Sequence, residues 1–210
     1  MIDINCDVGE GLQNESIIMP FISSCNIACG AHAGNVETID KVIKLAMENN
    51  VKIGAHPSFP DKENFGRKIM KISNEELQDS VEAQLKLFKE RAALQNAAVH
   101  HVKPHGALYN LIAVNEEKAR VVANAMLKVF NEAKLYVPYN SAIEKIAKKK
   151  KIKIVYEAFA DRNYNDDLTL VSRTLPYALL VDKIKILKHV QQMVEFSKVK
   201  TVQANEQFIK

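Results

Sequence analysis

The chain has 210 residues and a mass of 23.6 kDa, which suits one domain of ordinary size. Its composition, with 47% hydrophobic and 26% charged residues, is that of a globular protein and excludes a disordered chain. A net charge of +4 does not indicate nucleic-acid binding, and no run of about 18 apolar residues predicts a membrane span. Because the amino terminus lacks signal-peptide features and three cysteines are an odd number, we expect a cytoplasmic protein with reduced thiols.

Short apolar runs alternate with longer amphipathic runs along the chain. Short apolar or alternating patterns predict strands over residues 2–8, 23–30, 51–57, 97–104, 134–138 and 151–159, with weaker strand character at 197–204. Apolar residues at helical spacing predict helices over residues 35–50, 73–96, 115–133, 141–150 and 181–196. The second helix opens with a capping box formed by Ser73 and Glu76, and Asn115 is placed to cap the third.

Polar side chains stand at the carboxyl ends of five predicted strands. They are Asn5 and Asp7, Asn26 and His32, His56, Lys103 and His105, and Glu157, Asp161 and Arg162. Strands that alternate with helices pair in parallel, and ligands bind at the carboxyl edge of a parallel sheet. A barrel gathers five such ends around one opening, and no G-x-G-x-x-G fingerprint favours the open alternative. We therefore predict a single α/β domain over residues 1–210 with a barrel-like sheet.

Asp7, His32 and His56 form a set of one carboxylate and two imidazoles from three strand ends. Such a set can bind a divalent metal ion with open coordination positions. The same side chains can also bind a substrate without a metal, and spacing along the chain does not separate these hypotheses. Cys25 and Cys29 lie near His32 but complete too few ligands for a structural zinc site, so we expect them to line their strand.

The segment VHHVKPHGALYN, residues 99–110, gathers three of the six histidines. In a strand that ends near Lys103, His101 and Lys103 share the inner face, whereas His100 points outward. Lys103 can hold an anion or stabilise an oxyanion, and His105 can move protons near neutral pH. Tyr109 adds a phenol nearby. We expect this segment to deliver chemistry to the barrel opening.

Residues 157–173 form a second stretch rich in charged and polar groups. Asp161, Arg162, Tyr164 and Arg173 fall in a loop with little apolar content, and two arginines suit carboxylate or phosphate recognition. A surface loop stabilised by salt bridges explains the same composition. Both interpretations stay open on the sequence alone.

Several long motifs resemble those of the LamB/YcsF family. They are INCDVGEG, SCNIACGAHAGN, IGAHPSFPD, FGR, HHVKPHGALYN and FADRNY, and the resemblance runs from about residue 2 to about residue 204. It implies a distorted (β/α) barrel of the glycoside hydrolase/deacetylase type. It also implies an ATP-dependent 5-oxoprolinase activity, which opens the lactam of 5-oxo-L-proline to L-glutamate together with two partner subunits, B and C.

The resemblance carries over to polar residues that match the family's motifs. It does not settle their individual roles; the chemistry of the implied reaction makes Asp7 the candidate base, Lys103 or Arg162 an anion holder and His105 a proton carrier. The candidate substrate-binding residues are Asn5, Glu10, Asn26, Arg67, Tyr109, Asp161 and Arg162. ATP is expected as a co-substrate, although no Walker-type G-x-x-x-x-G-K-[ST] motif occurs. A divalent metal at Asp7, His32 and His56 stays an open hypothesis.

The sequence departs from the family pattern at two places. The segment between Gly11 and Ile17 is shorter than in many relatives, and relatives continue beyond this carboxyl terminus into a further strand. We therefore expect a barrel that lacks its last strand and exposes an edge: either the chain is a truncated product, or a partner covers the gap. A homo-oligomer is among the expected assemblies. Two alternatives to the lactam hydrolase remain: a metal-dependent hydrolase or deacetylase acting on a carbohydrate or amide, and a non-catalytic binding subunit.

Overall fold

A computed structural model describes residues 2–209, and its centre is a curved parallel sheet. The strands are β1 (Asn5–Val8), β2 (Ser24–Ala28), β3 (Lys52–His56), β4 (Val99–Val102), β5 (Lys134–Pro138) and β6 (Ile154–Glu157). They pair in chain order, each parallel to the next, which is the arrangement that βα units produce. The prediction of a barrel-like parallel sheet is confirmed.

The sheet curls until side chains of its first and last strands meet across the interior. Lys103, just beyond β4, places its Nζ 3.1 Å from Asp7 Oδ1 on β1 and 2.8 Å from Glu157 Oε1 on β6. Over residues 2–209, β1 and β6 do not pair with each other. The sheet is therefore a six-stranded half-barrel whose carboxyl edge surrounds one opening.

Helices cover the outer face of the sheet. They are α1 (Glu15–Ile18), α2 (Val36–Glu48), α3 (Asn74–Leu94), α4 (Gly106–Val114), α5 (Glu116–Val129), α6 (Ala142–Lys149) and α7 (Lys183–Phe196). The capping box of Ser73 and Glu76 is present at α3, and the side chain of Asn115 accepts a hydrogen bond from Lys118 N at α5. Fully buried residues such as Leu85 and Phe88 join α3 to the core, where each stabilises the fold by roughly 1.5–3 kcal/mol.

Two segments of the chain differ from the pattern expected from the sequence. Helix α4 follows directly after Pro104, and its stretch ALYNLIAV is apolar on nearly every side, so it carries no helical period. Three of its apolar side chains, Ala107, Leu108 and Ile112, are buried, which explains that composition. The weak strand expected at 197–204 is only Lys198–Lys200 (β7), which pairs with Glu206–Phe208 (β8) as an antiparallel hairpin.

No helix within residues 2–209 is both long and apolar enough to cross a membrane.

Candidate functional site

A cavity of about 520 Å³ opens at the carboxyl edge of the half-barrel. Its polar lining residues include Asp7, Glu10, His56, Arg67, Lys103, His105, Tyr109, Glu157, Arg162, Tyr164 and Arg173. They come from the ends of β1, β3, β4 and β6, from helix α4 and from the loop after β6. The strand ends that the sequence singled out therefore meet around one space.

A lysine joins two carboxylates at the base of this cavity. Lys103 Nζ donates to Asp7 Oδ1 at 3.1 Å, lies 2.8 Å from Glu157 Oε1 and donates to Asn5 Oδ1 at 3.2 Å. Burial alone would lower the pKa of Lys103, but the charges of Asp7 and Glu157 outweigh it and raise that pKa. Burial would raise the pKa of Asp7, yet the interactions with His56 and Lys103 hold it well below its usual value. Asp7 and Lys103 therefore stay ionised together.

Asn26 and His101 orient Asp7 from below. Asn26 Nδ2 donates to Asn5 Oδ1 at 2.6 Å and to Asp7 Oδ1 at 2.8 Å, which leaves its Oδ1 to accept from His101 Nε2 at 2.7 Å. The imidazole of His101 is fully buried and lies over Gly54 of β3, where an added Cβ would come within 2.1 Å of Nε2. Glycine at position 54 thus makes the space that His101 needs.

A cluster of three imidazoles and one carboxylate forms the cavity wall beside Asp7. One potential ligand atom from each of Glu10, His32, His56 and His105 lies within 4.8 Å of the others. Burial, followed by the neighbouring His56 and His32 rings, lowers the pKa of His105 to about 2. Burial also lowers the pKa of His32, although Glu10 opposes it. His32 and His105 are therefore held in the neutral form, in which one ring nitrogen of each can accept a proton or bind a cation.

Two buried polar atoms facing the cavity lack a hydrogen-bond partner within residues 2–209. They are the hydroxyl of Tyr109 and Oε2 of Glu157. Burial, followed by the charge of Glu157, raises the pKa of Tyr109 well above its usual value, so the hydroxyl keeps its proton. The Glu157 side chain also acts on Tyr109 through a side-chain contact, so the two groups lie side by side without a hydrogen bond of normal geometry. The cavity therefore offers an adjacent donor and acceptor, and buried polar groups of this kind are normally paired. The missing partners point to a ligand with one acceptor and one donor.

Arginines surround the mouth of the cavity in two different ways. Arg67 and Arg173 are exposed, and neither forms a salt bridge within the part of the chain that the structure describes. Arg162 is buried instead, and its guanidinium donates to Val171 O at 2.6 Å and to Ala178 O at 3.3 Å. Arg67 and Arg173 can bind an anion, whereas Arg162 holds the loop that forms the roof.

The structure brings most of the sequence-predicted site residues to the cavity, but Asn5, Asn26 and His32 lie near it without lining it, and three further differences are found. Asp161 is exposed and does not line the cavity, and Arg162 is committed to carbonyl groups of its own loop. Asp7 lies outside the group of potential metal ligands, which Glu10 and His105 join instead. Asp7 still has its Oδ2 3.3 Å from His56 Nε2, but its stronger partner is Lys103.

Sequence reasoning gave no role to two residues that complete the site. Glu157 binds Lys103, and its position at the end of β6 was the available signal. Phe159 lies with its ring 5.1 Å from Lys103 Nζ, a contact for which the sequence carried no signal. Burial raises the pKa of the Cys25 and Cys29 thiols to about 12, and neither belongs to the metal-capable group, consistent with apolar packing.

The fold and the site together define a (β/α) half-barrel protein with a polar ligand site at the carboxyl edge of its sheet. The model of the LamB/YcsF family matches residues 2–210, and the chain belongs to this family. Over 206 residues it is 42% identical to a Bacillus cytotoxicus protein that is named as the A subunit of 5-oxoprolinase, covering 96% of this chain and 82% of that one. A protein of the same name from Haemophilus influenzae is 40% identical over 201 residues, with the same coverage.

A solved structure shows the same fold. The crystal structure of the lactam utilization protein from Thermus thermophilus aligns with a TM-score of 0.93 at 33% identity. The alignment covers 100% of this chain and 87% of that one. The half-barrel and the positions of its strands are therefore those of a known member of this fold.

Proposed function

We propose that this chain acts as the A subunit of an ATP-dependent 5-oxoprolinase, which hydrolyses 5-oxo-L-proline to L-glutamate together with partner subunits B and C. The names carried by relatives at 40–44% identity support this proposal. Buried reduced thiols and the need for ATP fit a cytoplasmic enzyme.

The observation that carries the proposal is the unpaired donor and acceptor in the cavity, Tyr109 OH and Glu157 Oε2. In an ordinary trans amide the N–H and C=O groups point to opposite sides. A five-membered lactam is forced into the cis form, so its N–H and C=O lie on one edge. On such an edge, the C=O group can accept a hydrogen bond from Tyr109 while the N–H group donates one to Glu157. A linear trans amide cannot make both hydrogen bonds at the same time.

The remaining charges suit the rest of the substrate. The carboxylate of 5-oxo-L-proline fits the exposed pair Arg67 and Arg173 at the mouth, since guanidinium groups bind carboxylates in a bidentate manner. Lys103 has three donors, and all three are directed to Asn5, Asp7 and Glu157. Its role is therefore to hold Asp7 and Glu157 in place and to keep Asp7 ionised, rather than to hold a substrate anion.

ATP supplies the driving force for opening a resonance-stabilised amide. The carbonyl oxygen of the lactam attacks the γ-phosphorus of ATP, and ADP leaves. Water then adds to the activated carbon and gives one proton to Asp7, the C–N bond breaks, and the ring nitrogen is protonated as an amine. A second water hydrolyses the resulting acyl phosphate to the carboxylate of glutamate and inorganic phosphate. Asp7 lies at the cavity base in the ionised state that this proton transfer needs.

The test is glutamate formation by the reconstituted three-subunit mixture, with and without this chain and with Tyr109→Phe in its place. Because no hydrogen bond of normal geometry joins the Tyr109 hydroxyl to the described protein, its removal breaks only a weak contact with Glu157, and we expect thermal stability to change little. Removing one neutral hydrogen bond that positions the lactam, at about 1–1.5 kcal/mol, should lower kcat/KM by roughly tenfold.

The matched control is Tyr177→Phe, which removes a half-exposed hydroxyl that does not line the cavity and should leave the rate unchanged. Equal glutamate formation with and without the chain would refute the proposed function. An unchanged rate for Tyr109→Phe would refute the assignment of the lactam edge.

A second candidate function rests on the cluster of Glu10, His32, His56 and His105, which favours a metal-dependent hydrolase that needs no ATP. Omitting ATP from the complete mixture distinguishes the two functions. Substrate hydrolysis that continues without ATP, at the same rate, would select the second.

A further inference from the structure

The outer nitrogens of two cavity-lining histidines are fixed by backbone carbonyl groups. His56 Nδ1 lies 2.6 Å from Lys103 O, and His105 Nε2 lies 3.0 Å from Phe65 O. A carbonyl oxygen only accepts hydrogen bonds, so each of these nitrogens carries the ring proton. In the neutral rings, His56 Nε2 and His105 Nδ1 therefore present lone pairs to the interior of the cluster.

These lone pairs face each other and a carboxylate. His56 Nε2 lies 2.9 Å from His105 Nδ1, and Glu10 Oε1 lies 3.3 Å from His105 Nδ1 and 3.8 Å from His56 Nε2. Asp7 Oδ2 also lies 3.3 Å from His56 Nε2, and four acceptors at these distances repel one another unless a positive charge lies between them. Fixing the outer nitrogen of a histidine on a carbonyl is also how proteins orient histidines that bind metal ions.

The three separations match a metal coordination sphere. A tetrahedral ion with bonds of about 2.0–2.1 Å separates its ligand atoms by roughly 3.3–3.4 Å. The observed values of 2.9, 3.3 and 3.8 Å lie on both sides of this distance. The rings of His56 and His105 are inclined by 80° with centroids 4.9 Å apart, so their planes intersect and one ion can lie in both.

His32 is close to the same point but is oriented differently. Its ring stacks on His105 with an interplanar angle of 4° and centroids 3.8 Å apart, so no single point lies in both ring planes. Its Nδ1 lies 2.9 Å from Ser58 Oγ and its Nε2 3.1 Å from Glu10 Oε1. His32 therefore supports Glu10 and His105 from behind the cluster.

We propose that Glu10 Oε1, His56 Nε2 and His105 Nδ1 bind one divalent first-row transition metal ion, of which Zn²⁺ is the representative. Imidazole and carboxylate ligands suit this group of ions. All three ligands line the cavity, so the remaining coordination position faces the cavity and the carboxylate of Asp7. A site with two histidines, one glutamate and an open position is the arrangement of catalytic rather than structural zinc.

The test measures metal binding by the full chain, so its outcome does not depend on any enzymatic activity. Protein stripped with a chelator is titrated with Zn²⁺ by calorimetry and with Co²⁺ by visible absorption. We expect one ion per chain, a rise in thermal stability on loading, and Co²⁺ bands of a low-coordinate nitrogen–oxygen site.

Two variants remove a ligand atom while preserving the surroundings. Glutamine in His105→Gln keeps a donor near the position of Nε2 for Phe65 O but has no Nδ1, and Glu10→Gln keeps the shape of the side chain. Each should weaken Zn²⁺ binding by more than the roughly 10- to 100-fold typical of losing an outer partner. His32→Asn keeps a donor for Ser58 and should cost less than either.

The control is His100→Gln, which replaces a histidine outside the cluster and should bind Zn²⁺ as the parent chain does. Circular dichroism confirms that each variant is folded. Absence of stoichiometric Zn²⁺ binding by the parent chain would overturn the proposal. The positive charge between the two ring nitrogens and Glu10 would then be a shared proton. Equal affinity of the parent, Glu10→Gln and His105→Gln would overturn it as well, as would a larger loss in His32→Asn than in His105→Gln.

Discussion

The hydrogen bonds around Asp7 form a chain in which every donor meets an acceptor. Lys134 Nζ lies 3.3 Å from His100 Nε2, His100 Nδ1 lies 3.1 Å from His101 Nδ1, and His101 Nε2 donates to Asn26. Since Asn26 uses its amide hydrogens on Asn5 and Asp7, only one ring proton arrangement satisfies every contact. Each histidine donates one hydrogen bond and accepts one, so both are neutral in this arrangement.

His101 should make the stability of the protein depend on pH. Burial, followed by the charges of His100 and Lys103, lowers the pKa of His101 from 6.5 to about 3. Between these values the unfolded chain binds a proton that the folded chain does not, so stability is full above 6.5 and falls as the pH decreases. Glutamine in His101→Gln keeps a donor for Asn26 but cannot titrate. As the pH decreases, the unfolding free energy of this variant should therefore fall less steeply than that of the parent, and the two slopes should differ by up to about 1.4 kcal/mol per pH unit.

The measurement is urea unfolding of parent and variant at several pH values from 6.5 down to about 5. Asp3 and Lys103 also change the pKa of His101, and His100 is its nearest titratable neighbour. The comparison is therefore His100→Gln, which removes that neighbour but leaves His101 able to titrate. Parallel pH profiles for the parent and His101→Gln would contradict this prediction.

Residue types at strand ends indicated much of the site, but their partners could not be read from the chain. Asp7 and Lys103 were candidates because each stands at the carboxyl end of a strand. Their contact joins residues far apart in sequence and depends on how strongly the sheet curls. The sequence placed Asp7 among the potential metal ligands, whereas in the structure Glu10 and His105 take its place. This difference has the same cause, since it depends on where the loop after β1 turns.

Among the elements, the segment after β6 shows how a polar loop becomes an ordered roof. Arg162 and Tyr164 make backbone bridges to Leu179 and to Leu170, and Tyr164 also bridges to Thr201 beside β7. The Tyr164 hydroxyl accepts from Phe159 N at 2.7 Å. The roof is therefore stabilised from within by buried side chains, and the alternative of a salt-bridged surface loop does not describe it.

Arg162→Leu should loosen this roof without unfolding the domain. The change leaves Val171 O and Ala178 O without their guanidinium donors, at a local cost of about 1–3 kcal/mol. Amide hydrogen exchange over residues 163–180 should accelerate by roughly tenfold or more, while α3 and α5 keep their protection. Arg173→Leu, at an exposed position in the same loop, is the matched control; equal exchange in the two variants would argue against the role of Arg162.

The elements differed in how well the sequence predicted them. Helix α3 was predictable because its cap and its apolar period agree, and both are observed. Helix α4 was not, because a helix buried on several sides has no polar face to reveal its period. The observed strands are shorter than the apolar segments that predicted them, because pairing with neighbouring strands rather than composition decides where a strand stops.

On the scale of the whole molecule, polar contacts hold the curled sheet together at the end opposite the cavity. Tyr136 of β5 donates to Asp3 Oδ2 at 3.2 Å, and Ser24 of β2 donates to Asp3 Oδ1 at 2.6 Å. The ring of Tyr136 also stacks on His101, with centroids 4.1 Å apart. These contacts link the two halves of a sheet that does not close by strand pairing within residues 2–209.

Tyr136→Phe should lower the free energy of unfolding by about 1–2 kcal/mol, because a buried hydroxyl that serves an ionised carboxylate is lost while the ring remains. Urea unfolding at neutral pH measures the change. The comparison is Tyr177→Phe, at a half-exposed position, for which we expect no loss. A Tyr136→Phe variant as stable as the parent would show that the curvature does not depend on this contact.

Gly54 has a consequence for how such proteins diverge. Its missing side chain is the volume that the His101 ring occupies, because an added Cβ would come within 2.1 Å of His101 Nε2. The two positions are therefore inherited as a pair: a lineage that keeps the histidine cannot enlarge residue 54, and one that enlarges residue 54 must first give up the histidine. Across homologous sequences, the pair should change together, and the loss of Gly54 should mark the lineages in which Asp7 is oriented by other means.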